Sequence, residues 1–224
     1  RQGLLNAMFK SFFPNPRWFF ISAIVWLALN MLLWYTGGNA WGEYLGFAKG
    51  YADAELPIDV SRFWSASFVW YYVWFLAATT LFAAFWRYYS DNKWQKWSIW
   101  GSAFILFNIW FAVQVNVAIN AWYVPFWDLV QKMLSNGGNI VDLYKEAFIF
   151  LTIAMVAVTL GIINVFFTSH YVFRWRTAMN EYYVMHWEKL RHVEGASQRI
   201  QEDTMRFATI MEDLGVELVR AIMT

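Results

Sequence analysis

The last stretch of the chain, Phe207–Thr224, reads FATIMEDLGVELVRAIMT and sets Glu212, Asp213, Glu217 and Arg220 in an otherwise apolar run. A span that begins here would hold carboxyl groups at or near membrane depth. Desolvation raises the pKa of such a group. It could then load and unload a proton near neutral pH, and acids inside a membrane are functional candidates by default. The alternative is a helix still outside the membrane whose charges are solvated, and the residue pattern leaves both open.

A second set of charges precedes this run. Glu202–Arg206 is an i,i+4 pair, and Asp203–Arg206 and Glu217–Arg220 are i,i+3 pairs, spacings that support a helix. A third set is uncharged. Asn116 and Asn120 lie four apart within an apolar stretch and share a helix face, with Asn30, Asn108, Gln114 and Asn164 in comparable surroundings. Such amides line a wet cavity or hold helices together.

Other chemistry has little to build on. There is no Cys, so no thiolate metal site, disulfide or thiol nucleophile. No Gly is followed by Lys, which removes the phosphate loop of a P-loop ATPase. No Ser-His-Asp ordering and no G-x-S-x-G elbow is present. The histidines are His170, His186 and His192. His170 as a haem ligand would want a second inward His on a facing span, and none exists. The expectation is a protein with no cofactor and no metal site, and not an enzyme.

These residues need elements to position them. Four runs contain no Asp, Glu, Lys or Arg: Trp18–Gly42, Phe63–Trp86, Trp97–Trp127 and Ala147–Phe173. Each exceeds the roughly 20 apolar residues that cross a bilayer. Phe63–Trp86 has no polar face, which a soluble helix requires. Of the 224 residues 59% are hydrophobic and 22% aromatic, while 15% are charged, against about 25% in soluble domains. That balance excludes a disordered chain and, with a net charge of +1, a strongly basic nucleic-acid binder. Mean hydropathy is only +0.33, because Trp and Tyr score poorly and the tail is highly charged.

The runs predict an all-α, polytopic transmembrane bundle with spans near 18–35, 63–86, 97–124 and 147–173. Gly37 and Gly38 are expected to end the first near Tyr35. Trp18, Trp34, Trp64, Trp86, Trp97, Trp122, Trp127 and Trp175 flank the spans, where amphipathic rings favour the bilayer interface. Trp26, Trp70, Trp74 and Trp110 read as core. Lys and Arg number three before the first span, then two, three and two in successive loops, and seven in the tail. Positive loops stay cytoplasmic, so the N-terminus is expected inside.

Outside that membrane domain, 18–173, the segments differ in kind. Residues 1–17 form an interfacial entry containing KSFFPNPR, with no signal-peptide pattern. Met8 would serve as a natural start, making Arg1–Ala7 an extension. Thr36–Arg62 reads as a long glycine-rich loop, and Ser135–Asn139 (SNGGN) as a turn. Ala157 and Gly161 form a small-xxx-small pair suited to close helix contact. Residues 174–206 read as a helical extension in the cytoplasm with a break near Gly195, and 207–224 as the start of a further span.

Four stretches carry a resemblance: MFKSFFPNP (8–16), NAWYVPFWDLVQ (120–131), SHYVFRWRTAMNEYY (169–183) and LRHVEGASQRIQEDTMRFA (190–208). From Met8 to Thr224 the chain resembles the N-terminal half of the SbmA/BacA family, bacterial inner-membrane importers of peptide antibiotics. The resemblance implies a homodimer similar to an ABC-transporter membrane domain but lacking an ATPase, importing peptides on the proton gradient by alternating access. It implies a proton-carrying role for Glu212. It implies a cytoplasmic coupling or salt-bridge motif of Arg174, Arg176, Glu194, Arg199, Glu202, Asp203 and Arg206. Glu217 and Arg220 depart from the family pattern and take no role. The implied partners are peptides, protons, membrane lipid and a second copy, with no nucleic acid. The chain stops within an expected helix, so a further half is expected to supply more spans. Two other readings stay open: a membrane subunit served by a separate ATPase, and a structural or receptor membrane protein.

Overall fold

A computed structural model describes residues 8–49, 56–190 and 195–223. Among these the fold is all helical. A short helix α1 (8–12) leads through Pro14-Asn15-Pro16 into α2 (Pro16–Leu33). Proline at the first helical position suits its fixed φ and missing N–H. Then follow α3 (Asn39–Tyr44), α4 (Ala66–Tyr89), α5 (Ser102–Asn136), α6 (Ile140–Met185), α7 (Trp187–Leu190) and α8 (Ala196–Met223). Four stretches are long and apolar enough to cross a membrane: Pro16–Tyr44, Ala66–Tyr89, Lys96–Ser135 and Ile140–Met185. Ile24, Val25, Leu81, Ile162 and Phe166 point outward, fully apolar and well exposed. That surface suits lipid and not water.

Three boundaries differ from the sequence expectation. The first helix breaks at Gly37, whose φ of 174° and ψ of −21° leave the helical region, but the apolar stretch does not end there and resumes as α3. The glycines serve close approach. A Cβ on Gly38 would lie 2.7 Å from the Trp74 ring, and the Gly38 carbonyl accepts the Trp70 indole N–H at 2.9 Å. The expected loop Thr36–Arg62 is therefore partly helical, and its residues 50–55 lie outside the described residues. The third span continues through Pro125 to Asn136. Gly137, at φ 68°, then turns the chain, and the Asn139 side chain accepts the Val141 N–H to start α6. At about 1.5 Å per residue, the 46 residues of α6 extend far beyond a hydrocarbon core of about 30 Å.

Two aromatic clusters hold the bundle. One gathers Phe12, Phe13, Phe19, Trp86, Tyr171, Trp175 and Phe207. It lies at what we term the basic end, where α4, the α4–α5 turn and α6 bear Arg87, Lys93, Lys96 and Arg174. The other joins Phe63, Phe68, Val115, Trp122 and Ile153 towards the opposite end. Indole N–H groups tie separate elements: Trp26 to the Ala78 carbonyl, Trp86 to Ser22 Oγ, Trp122 to the Glu146 carbonyl and Trp175 to the Met8 carbonyl, at 3.0–3.1 Å. Of the tryptophans at the ends of the apolar runs, Trp34, Trp86, Trp122 and Trp175 are buried between elements, whereas Trp18, Trp64 and Trp127 are more than half exposed. A buried indole needs an acceptor, and these four lie where a neighbouring helix packs or supplies one.

Candidate functional site

The acids of the tail are positioned by a return of the chain. Beyond α6 and α7, Gly195 takes φ 73°, a left-handed value that favours glycine. Helix α8 then packs along α6 and reaches α5. Its apolar stripe, Ile200, Thr204, Phe207 and Met211, repeats at helical spacing. Ile200, Phe207 and Met211 join the basic-end cluster, and Thr204 is buried. Phe207 meets Trp175 edge-on with ring centroids 4.7 Å apart.

That contact sets a register. In an antiparallel pair each step forward on α8 is a step back on α6, so position 212 stands opposite 170 and position 217 opposite 165. Arg174 is the first charge after the apolar run of α6. At about 1.5 Å per residue, positions 212 and 217 lie about 6 and 14 Å further in than Arg174. Asp213 and Glu217 are exposed, on the face of α8 turned away from α6. The side chains of Glu212, Arg199 and Asp203 lie outside the described residues, as does Glu194 entirely.

The remaining charged candidates are dispersed. Arg174 lies over the Trp97 ring at 5.3 Å and donates from Nε to His170 Nε2 at 3.4 Å. His170 also contacts Trp97 and stacks on Phe166. Arg176 is half-buried. Glu202 and Arg206 are exposed, and no ion pair joins them. Glu202 Oε1 instead accepts from Gln198 Nε2 at 3.4 Å. An ion pair that the sequence spacing did not reveal, Lys93–Glu181 at 2.8 Å, ties the turn after α4 to the extension of α6. No local signal reveals it, because its partners are 88 residues apart.

The amides divide differently from expectation. Asn116 is half-buried and Asn120 exposed, while Asn108, Gln114 and Asn164 are the buried ones. The Nδ2 of Asn108 has no partner among the described residues. A Cβ on Gly161 would meet nothing within 4 Å, so no other element packs closely on it among the described residues. At the opposite end, Arg62 is buried, its Nε has no partner among the described residues, and burial pushes its pKa below the ordinary value.

An apolar cavity of about 660 Å³ opens between the spans. Tyr72, Phe75 and Leu76 of α4, Trp97 and Trp100 of the turn Lys96–Gly101 that leads into α5, Phe104 and Phe107 of α5, and Phe167 of α6 form its wall. Lys96 is the one charged residue on the lining among the described residues.

Apolar helices with a strongly amphipathic helix folded back beside them suit a family of membrane transporters. The model of the SbmA/BacA-like family matches residues 91–224, more than half of the chain. The chain belongs to the SbmA/BacA-like family. The match takes in α5, α6 and α8, hence both the helix that carries Glu212 and the surface it packs on. Membership and the four long apolar helices make this SbmA/BacA-like protein a multi-pass membrane transporter.

Proposed function

We propose that this protein imports peptides, including peptide antibiotics, across the bacterial inner membrane on the proton gradient. It works as a homodimer by alternating access, with its N-terminus in the cytoplasm and without an ATPase of its own. Glu212 is the proton carrier.

The observation that carries the reading is the register of α8 on α6. It supports a backbone position for Glu212 inside the apolar depth of the bundle, next to a face that bears the exposed acids Asp213 and Glu217. At that depth a carboxyl is costly when charged and easily protonated. Protonation from the periplasmic side would favour inward opening, and release to the cytoplasm would reset the cycle. The 174–206 extension, including Arg174, Arg176 and Arg206, carries the movement of α6 to α8 at the cytoplasmic surface. On this reading the membrane domain is similar to that of an ABC transporter, whose long helices likewise leave the bilayer.

The test is uptake of a fluorescent proline-rich peptide into proteoliposomes under an inward proton gradient and without ATP. The expected result is gradient-dependent uptake that falls at least tenfold in Glu212→Gln. Undiminished, fully coupled uptake in that variant removes Glu212 from the mechanism. Uptake that appears only with ATP and an added ATPase chain overturns the energy source.

A further inference from the structure

The aromatic cavity has a polarity of its own. Its wall is almost wholly apolar, and Lys96 is its one charged residue among the described residues. Tyr72 also contributes a hydroxyl, but that group already donates to the Phe63 carbonyl at 3.0 Å. A second cation stands at the same end, where the Arg174 guanidinium covers the Trp97 ring that lines the cavity. Neither Lys96 nor Arg174 has a carboxylate within ion-pair distance among the described residues. A peptide buried here would leave backbone N–H and C=O groups unpaired, at a cost of several kcal/mol each. The site asks for a hydrocarbon chain with an anion at one end.

The dimensions agree. From Lys96 to Phe107 the wall rises eleven residues, about 16 Å. One leaflet's share of a hydrocarbon core of about 30 Å is about 15 Å. The mouth lies at the level of the first charges after the apolar spans, Arg87 and Arg174, where basic pockets between membrane helices meet anionic headgroups.

We infer that this cavity is a binding site for an anionic phospholipid of the leaflet at the basic end. One acyl chain lies against Trp97, Trp100, Phe104, Phe107 and Phe167, and the phosphate meets Lys96 and Arg174. The lipid lies between α4 and the closely packed α5–α6 pair.

The test uses the full chain in phosphatidylcholine vesicles doped with phosphatidylglycerol carrying a mid-chain diazirine, followed by peptide mapping of the adducts. Adducts are expected on 97–107 and at Phe167, at least fivefold above those from a matched diazirine phosphatidylcholine. Lys96→Glu should abolish that preference and Lys96→Arg keep it. Ala103→Phe, which fills the slot and leaves both cations in place, should remove the adducts. Equal labelling by the two lipids in the unaltered chain overturns the inference, as does labelling spread evenly to outward positions such as Ile24 and Ile162. A benzophenone at position 104 that captures a second copy of the chain overturns it too, by assigning the slot to protein.

Discussion

Trp175 shows how much one side chain decides. Its ring stacks on Phe12 at 5.2 Å, meets Phe13 and Phe207 edge-on, and its N–H reaches the Met8 carbonyl at 3.1 Å. It therefore joins α1, α6 and α8 at one point. Trp175→Ala should cost about 3–5 kcal/mol, as for a large buried aromatic elsewhere, read as a lowered Tm in detergent. Trp175→Phe should cost about 1 kcal/mol, because only the hydrogen bond and part of the ring are lost. Equal Tm values for the two variants would show that the indole N–H, and not the ring, holds this junction. At this scale the residue types were legible in the sequence and their roles were not. Eight tryptophans flank apolar runs, but only the arrival of a neighbouring element separates those that staple helices from those that stay exposed.

Elements meet where a missing side chain lets them. A Cβ on Gly101 would stand 2.8 Å from the Tyr171 ring, whose hydroxyl is 2.7 Å from Ser102 Oγ. Gly101→Ala should push α5 and α6 apart, costing about 1–3 kcal/mol as overpacking does. Thermal unfolding of that variant beside Gly161→Ala provides the check. Gly161 has open space around it, so its variant should be neutral or slightly stabilising. A destabilised Gly161→Ala with an unaffected Gly101→Ala would reverse this assignment. The sequence pointed at Gly161 through its spacing from Ala157, a pattern of i and i+4 on one helix. The contact that matters involves residues 70 apart, which no local spacing reports.

At the scale of the whole molecule, α8 bears two faces. One is buried on α6, and the other carries Asp213 and Glu217 inward past the level of Arg174. Exposed carboxylates at that depth require water, a protein partner or both. The absence of Cys makes single-cysteine variants clean probes. Asp213→Cys should react with a membrane-impermeant maleimide at least tenfold faster than Ile162→Cys, an outward position on α6. Equal protection of both sites would place the acidic face against lipid or sealed protein, and would remove the wet pathway that proton coupling needs.

The four spans, the turn at Gly137 and the family were determined by sequence alone. Transfer of an apolar helix into a membrane is a sum over its own residues, and a motif is read along one strand of text. Tertiary structure decided what depends on two distant segments meeting. It turned Gly38 from a helix end into a seat for Trp74 and Trp70. It buried Asn108 and Asn164 while leaving Asn120 exposed. It left Glu202 and Arg206 without an ion pair to each other despite their spacing, and it brought Lys96 and Arg174 to the mouth of one apolar cavity. It also laid α8 against α6, which converts an ambiguous run of acids into positions at a defined depth. Such contacts have free energies that belong to pairs, so no window along the chain contains them.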